Sequence, residues 1–190
     1  LGDVYKRQQL NLNLLGEAVL GEEEAKSRAR RTLELIKNPR VTYVSVKASS
    51  MVAQLNNWDI GSSVERLKDR LRPLYQEAAR RNPPVFINMD MEEYHDLHLT
   101  LRLFKSLMSE PEFKNLESGI VLQAYLPDTF DALQDIAEFA KQRVAEGGAK
   151  VKVRIVKGAN LSMETAESEV HDWPLATYTN KLDVDANYYR

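Results

Sequence analysis

In this sequence, short apolar runs repeatedly end in a charged or amide side chain: Glu17, Lys47, Asp90 with Glu92, Gln123, and Arg154 with Lys157. The set carries both signs of charge and an amide, a combination suited to a zwitterionic substrate or a polar cofactor. Strand ends meet water in any sheet, so one such residue says little. A set that recurs at successive run ends points to a shared rim. No nucleophile template accompanies it: the chain has no cysteine and no Gly-x-Ser-x-Gly elbow. His95 and His98, near Glu92, are of metal-ligand type. They lie on a predicted helix whose other face carries Leu97 and Leu101, which favours a surface position. His171, beside Trp173 and Pro174, reads as packing in an irregular segment. A rim with neither metal nor nucleophile points to an organic cofactor that supplies the chemistry.

The elements that must position these residues follow from a hydrophobic period that switches repeatedly. Leu10–Leu15 alternates leucine with asparagine, and Tyr43–Lys47, Val85–Asp90, Ile120–Tyr125 and Val151–Val156 are rich in Val, Ile, Tyr or Phe. All read as strands. Between them Glu22–Lys37 opens on three glutamates and closes on a lysine, the charge order a helix dipole favours. Val64–Arg81 carries an apolar stripe, with Pro73 predicted to kink or restart it. Further stripes run through Leu97, Leu101, Phe104 and Met108, and from Phe130 to Val144 between a predicted Asp128 N-cap and Gly147-Gly148. Alternating strands and helices predict a parallel α/β sheet. No glycine-rich phosphate loop follows the first strand, so a TIM-like (βα)8 barrel is favoured over the doubly wound sheet. A barrel needs about 250 residues and eight strands. The expectation is therefore an incomplete barrel, with about its first five βα units spanning 10–190, truncated at the C-terminus. Residues 1–9 are expected to be a non-native or disordered lead, and Lys181–Arg190 to begin another helix.

Composition agrees with one ordinary domain: 190 residues, 43% hydrophobic, 28% charged, with a formal net charge of −2. That balance offers no concentrated basic surface for nucleic acid. Arg28, Arg30 and Arg31 read as a solvated basic cluster near a helix end. No apolar run spans a bilayer and no signal-peptide pattern opens the chain, so a cytoplasmic location is expected.

LLGEAVLGE at Leu14–Glu22, VSVK at Val44–Lys47, INMDMEEY at Ile87–Tyr94, GIVLQAYLPD at Gly119–Asp128 and VRIVKGAN at Val153–Asn160 resemble, in order, the proline dehydrogenase domain of proline utilisation flavoproteins. WPLATYTNKLDVDANY at Trp173–Tyr188 is similar to the same family. The resemblance implies a distorted (βα)8 barrel that binds FAD, oxidises L-proline to Δ1-pyrroline-5-carboxylate and passes electrons to a membrane quinone. That acceptor would bring a cytoplasmic protein to the inner membrane face. It implies that Lys47 pairs with the proline carboxylate, that Asp90 belongs to the substrate network, and that Glu17 orients an arginine found later in family sequences. Gln123 would hydrogen-bond the isoalloxazine and Arg154 would approach its reactive edge, while Val156, Lys157 and Gly158 line the cofactor.

These implied roles fit the chemistry. A guanidinium near the flavin's reactive edge can stabilise negative charge building on the reduced ring. A lysine point charge anchors a carboxylate, and a glycine lets backbone approach a cofactor closely. Some family members carry an aromatic pair where this chain has Asn160-Leu161, and the family's paired substrate-binding arginines have no counterpart up to Arg190. An aldehyde dehydrogenase is fused C-terminally in bifunctional members. The rim itself also admits other readings: a barrel oxidoreductase for another small amino acid, or a noncatalytic flavin-binding or interaction module.

Overall fold

The computed structural model describes residues 10–14 and 19–190. The expected 1–9 lead and Glu17 lie outside the described residues. In chain order the elements are β1 (Leu12–Asn13), α1 (Glu22–Lys37), β2 (Tyr43–Lys47), α2 (Ile60–Arg80), β3 (Phe86–Asp90), α3 (Leu97–Met108), β4 (Ser118–Gln123), α4 (Thr129–Ala145), β5 (Val151–Val156), α5 (Leu161–His171) and α6 (Lys181–Tyr189). The strands form one five-stranded parallel sheet in the order β1-β2-β3-β4-β5. The order runs without the reversal of a doubly wound sheet. Tyr43 pairs with Phe86 and Lys47 with Asp90 across β2 and β3, and Gln123 pairs with Val156 across β4 and β5.

Alternation gives the sheet two unlike faces. Val44, Val46, Ile87, Met89, Ile120 and Leu122 join Leu67, Leu71, Leu74, Leu103 and Ile136 of the helices in the core. Each such buried side chain contributes about 1.5–3 kcal/mol relative to an exposed one. The opposite face is graded along the strands. At its N-terminal end Tyr43 and Phe86 meet edge-on, centroids 4.9 Å apart, with the Lys152 ammonium over both rings at 5.0 and 5.5 Å. Ser45 and Asn88 follow, and then the charged strand ends. Gly119 makes room for Asn88, since a Cβ there would lie 2.9 Å from Asn88 Oδ1. The edge strand β5 is only half-buried along most of its length, whereas every residue of β4 is buried.

Several expected boundaries move. α2 runs through Pro73 without a break. Leu71 and Leu74 are fully buried on either side, and Arg72 grips Glu110 with two bonds of 2.9 Å, so tertiary contacts override the missing N–H. β4 starts at Ser118 rather than Ile120, because Ser118 pairs with Ile87 although it carries no apolar signal. Arg28, Arg30 and Arg31 sit inside α1, not at its end, with Arg28 on Glu24 at 2.8 Å. Asp128 does precede α4, but its carboxylate accepts from Tyr94 Oη at 2.8 Å and no side chain caps the helix. The Gly147-Gly148 stop is present, with Gly147 at φ +78° and Gly148 N–H on the Arg143 carbonyl at 2.8 Å. α5 occupies a stretch for which no element was predicted, and only its last residue, His171, falls in the segment read as irregular. Its one buried side chain is Glu164, so no apolar stripe announced it.

Candidate active site at the C-terminal strand ends

Asp90 ends β3 and lies at the centre of the polar face. Its Oδ1 accepts from Arg154 Nη2 at 2.8 Å, Asn88 Nδ2 at 2.8 Å and Ser45 Oγ at 3.2 Å. Its Oδ2 accepts from Asn13 Nδ2 at 3.3 Å, and Asn11 Nδ2 donates in turn to Ser45 Oγ at 2.9 Å. Side chains from β1, β2, β3 and β5 thus converge on one carboxylate. Burial pushes that carboxyl above its usual range, against the opposing pull of Arg154, Ser45, Asn88 and Lys47. Asp90 is therefore easier to protonate in the folded chain than in the unfolded one. The stability tied to this group is full at low pH and is lost as pH rises through the folded value.

Lys47, the register partner of Asp90, turns to another acid: its ammonium lies 3.4 Å from Glu92 Oε1. Glu92 Oε2 accepts the Ser49 N–H at 3.3 Å, and the Glu92 carbonyl accepts the Gln123 amide. Gln123 is buried, its Oε1 accepts the Ala159 N–H at 3.2 Å, and its amide also faces the Tyr125 phenol. Lys47, Asp90, Gln123 and Arg154 are therefore brought together on the sheet. The Lys157 ammonium is instead paired with Asp185 of α6, and Val156 packs half-buried against the core. His98 is exposed, while His95 stands 3.4 Å from both Glu93 and Asp96. His171 stacks on Trp173 with centroids 4.5 Å apart.

Sequence reasoning missed Asn13, Ser45 and Asn88 as site residues. The available signal was period two, since Ser45 and Asn88 precede Lys47 and Asp90 by two positions and must share their face. It also missed the support under Gly158. Tyr125 N–H donates to the Lys157 carbonyl at 2.7 Å, and Tyr125 Oη donates to the buried Glu164 at 3.1 Å, which also accepts the Tyr94 N–H at 2.7 Å. Burial and that carboxylate hold the Tyr125 phenol far above its usual range. Gly158 sits at φ +138°, and a Cβ there would lie 2.4 Å from Tyr125 Cγ. Gly158→Ala should therefore lower stability by about 1–3 kcal/mol from backbone strain alone. Thermal unfolding checks this; an unchanged melt would mean that the segment relaxes freely.

A family model described as proline dehydrogenase matches residues 4–190. The proline dehydrogenase of Deinococcus radiodurans is 30% identical over 186 residues, which cover 95% of this chain and 50% of the relative. Bifunctional protein PutA of Klebsiella aerogenes is 28% identical over 193 residues, covering 93% of this chain and 14% of the relative. Among solved structures, Proline Utilization A (PutA) from Corynebacterium freiburgense superimposes with a TM-score of 0.91 at 64% identity, over 94% of this chain and 19% of that one. The chain thus spans half or less of the length of these relatives.

Proposed function

From the premise that this chain belongs to the proline dehydrogenase family, we propose that it forms part of a (βα)8 barrel that oxidises L-proline to Δ1-pyrroline-5-carboxylate with FAD. The observation that carries the reading is the pairing of Arg154 with Asp90 at 2.8 Å directly beside Lys47. An anchoring cation, a buried carboxylate and a permanent guanidinium share one rim, at the end of a parallel sheet where such sites form. The donor set fits a flavin: among the described residues Arg154 keeps a buried Nε without a partner.

When bound, FAD would supply the hydride acceptor for the carbon beside the proline nitrogen. Lys47 holds the substrate carboxylate and so fixes which carbon faces the cofactor. Asp90 holds Arg154 in place, and Arg154 offsets negative charge at the cofactor's reactive edge. Gln123 would place an amide along that edge and the 156–158 backbone would line it, with Gly158 braced by Tyr125. Glu17, outside the described residues, would orient an arginine found later in family sequences. Electrons pass on to a membrane quinone from a peripheral protein of the cytoplasmic side; among the described residues no helix is long and apolar enough to cross a membrane. The relatives named bifunctional support a second activity on the same chain, which in this reading is a fused aldehyde dehydrogenase.

Anaerobic addition of proline to the full-length, FAD-loaded protein should bleach the flavin. In Lys47→Ala, loss of a charge-assisted contact of about 1.5–3 kcal/mol should lower kcat/KM by about one to two orders of magnitude, with flavin content nearly unchanged. A flavin that stays oxidised with proline would mark a noncatalytic flavin module. Loss of FAD in Lys47→Ala with normal kinetics in the remaining holoprotein would move Lys47 to the cofactor side.

A further inference from the structure

The carboxylate nearest the proposed substrate anchor in sequence register is Asp90, yet it does not hold that anchor. Arg154, Asn88 and Ser45 occupy its Oδ1, and Asn13 its Oδ2. The ammonium of Lys47 is left to Glu92, 3.4 Å away. Glu92 is itself held at both ends: Oε2 receives the Ser49 N–H at 3.3 Å, and its carbonyl receives the amide of Gln123. Ser49 belongs to the turn that follows Lys47, and Ser50 Oγ caps the Lys47 carbonyl at 2.9 Å. The Glu92 side chain is 12% exposed and that of Lys47 29%. The contact is thus shielded well enough to fix an ammonium that would otherwise sweep a four-carbon stem through the rim.

We infer that Glu92 is a positioning residue: it sets the place of the Lys47 ammonium and, through its own carbonyl, the orientation of the Gln123 amide. The inference rests on the reading of Lys47 as the substrate's carboxylate anchor. An ammonium has three donors, and Glu92 faces it as an ion pair at 3.4 Å, so donors remain for a substrate carboxylate. Two effects oppose each other. The Glu92 charge repels a second carboxylate, while its grip removes the conformational search of Lys47. Long side chains lose considerable rotamer entropy when held, and misplacing a reacting group by an ångström costs about a hundredfold. Positioning therefore outweighs repulsion.

The test is a double-mutant cycle in the full-length, FAD-loaded protein, with proline as substrate and flavin absorbance as a check on loading. Glu92→Ala should lower kcat/KM by about tenfold, the scale of one charge-assisted contact, mostly through KM. Glu92→Gln should recover most of it, because the amide oxygen can meet Lys47 while size is kept. In the Lys47→Ala background, Glu92→Ala should cost nothing further, since the group it positions is gone. Additive losses with Lys47→Ala impaired would overturn the role of Glu92 and leave the anchor standing. Normal proline kinetics in Lys47→Ala would overturn the anchor and this inference together. If Glu92→Ala fails to fold, Glu92→Gln carries the cycle: an additive loss there has the same overturning force, and a loss that vanishes without Lys47 supports the role.

Discussion

Replacing Arg154 by methionine in the full-length, FAD-loaded protein should lower turnover with proline by about two to three orders of magnitude, the usual cost of removing one preorganised donor at a site of developing charge. Methionine keeps much of the apolar stem and removes the cation. A cation beside the flavin favours its reduced, more anionic form, so the variant's midpoint should fall. A shift of about 30 mV corresponds to about 1.4 kcal/mol for a two-electron couple, well within what one charge supplies at an effective dielectric near 20. The same change strips Asp90 of its largest opposing influence, because Arg154 is the foremost group holding that carboxyl down against burial. The Asp90 value should then rise further. Stability tied to the protonated form will be lost over a higher pH window, and the acidic limb of the kcat/KM profile should move up in pH. Dye-referenced anaerobic titration and a pH profile test both parts. An unchanged midpoint with an unmoved acid limb would reduce Arg154 to a strand residue.

The strand ends were legible because chemistry and period coincide there. Lys47, Asp90, Gln123 and Arg154 each belong to a run of β-formers, and the sheet brings them to one face. What held them was less legible. Asp90 and Glu92 look interchangeable in sequence as acids after a strand, yet one accepts four side-chain donors and the other takes the lysine. Only three-dimensional crowding decides between them. Lys157 follows Val156 on the rim-bound strand, but α6 presents Asp185 and removes its ammonium from the face. A helix arriving nearly thirty residues later in sequence leaves no local signature at Lys157. Glu164 escaped for the opposite reason: a buried carboxylate on a helix without an apolar stripe violates the pattern by which buried residues are found.

Arg143 violates that pattern most strongly, and its loss should be the most destabilising single change at the opposite end of the sheet. It lies in the helix predicted from the Phe130–Val144 stripe, yet it is 8% exposed and among the described residues meets no carboxylate. Instead it donates to backbone carbonyls: Nε to Ala149 at 3.0 Å, Nη1 to Met108, and Nη2 to Phe113 at 2.5 Å, Lys114 at 2.9 Å and Leu116 at 3.3 Å. These groups belong to the end of α3, the turn after it and the approaches to β4 and β5, so one guanidinium joins the segments that feed two strands. Burial alone pulls its value down, which marks the cost of keeping the charge there. Removing both partners of a buried ionic contact can be neutral, but these partners are backbone and cannot be replaced. The Phe113 and Lys114 carbonyls keep the Leu116 and Ala149 N–H groups, so Arg143→Met should strip its donor from the carbonyls of Met108, Leu116 and Ala149 without that compensation, each costing about 1–3 kcal/mol where water cannot reach. A neighbouring cavity of about 340 Å³, lined by Met108, Glu110, Phe139 and Gly148, can admit water and offset part of this. The net loss should therefore be about 3–5 kcal/mol, in the range of other broken buried networks. Arg143→Lys should recover only a minor part, since three donors on a point charge cannot span five carbonyls. Urea unfolding and amide exchange in β4 give the comparison. A loss under about 1 kcal/mol, or full rescue by lysine, would show that the carbonyls find water without the guanidinium.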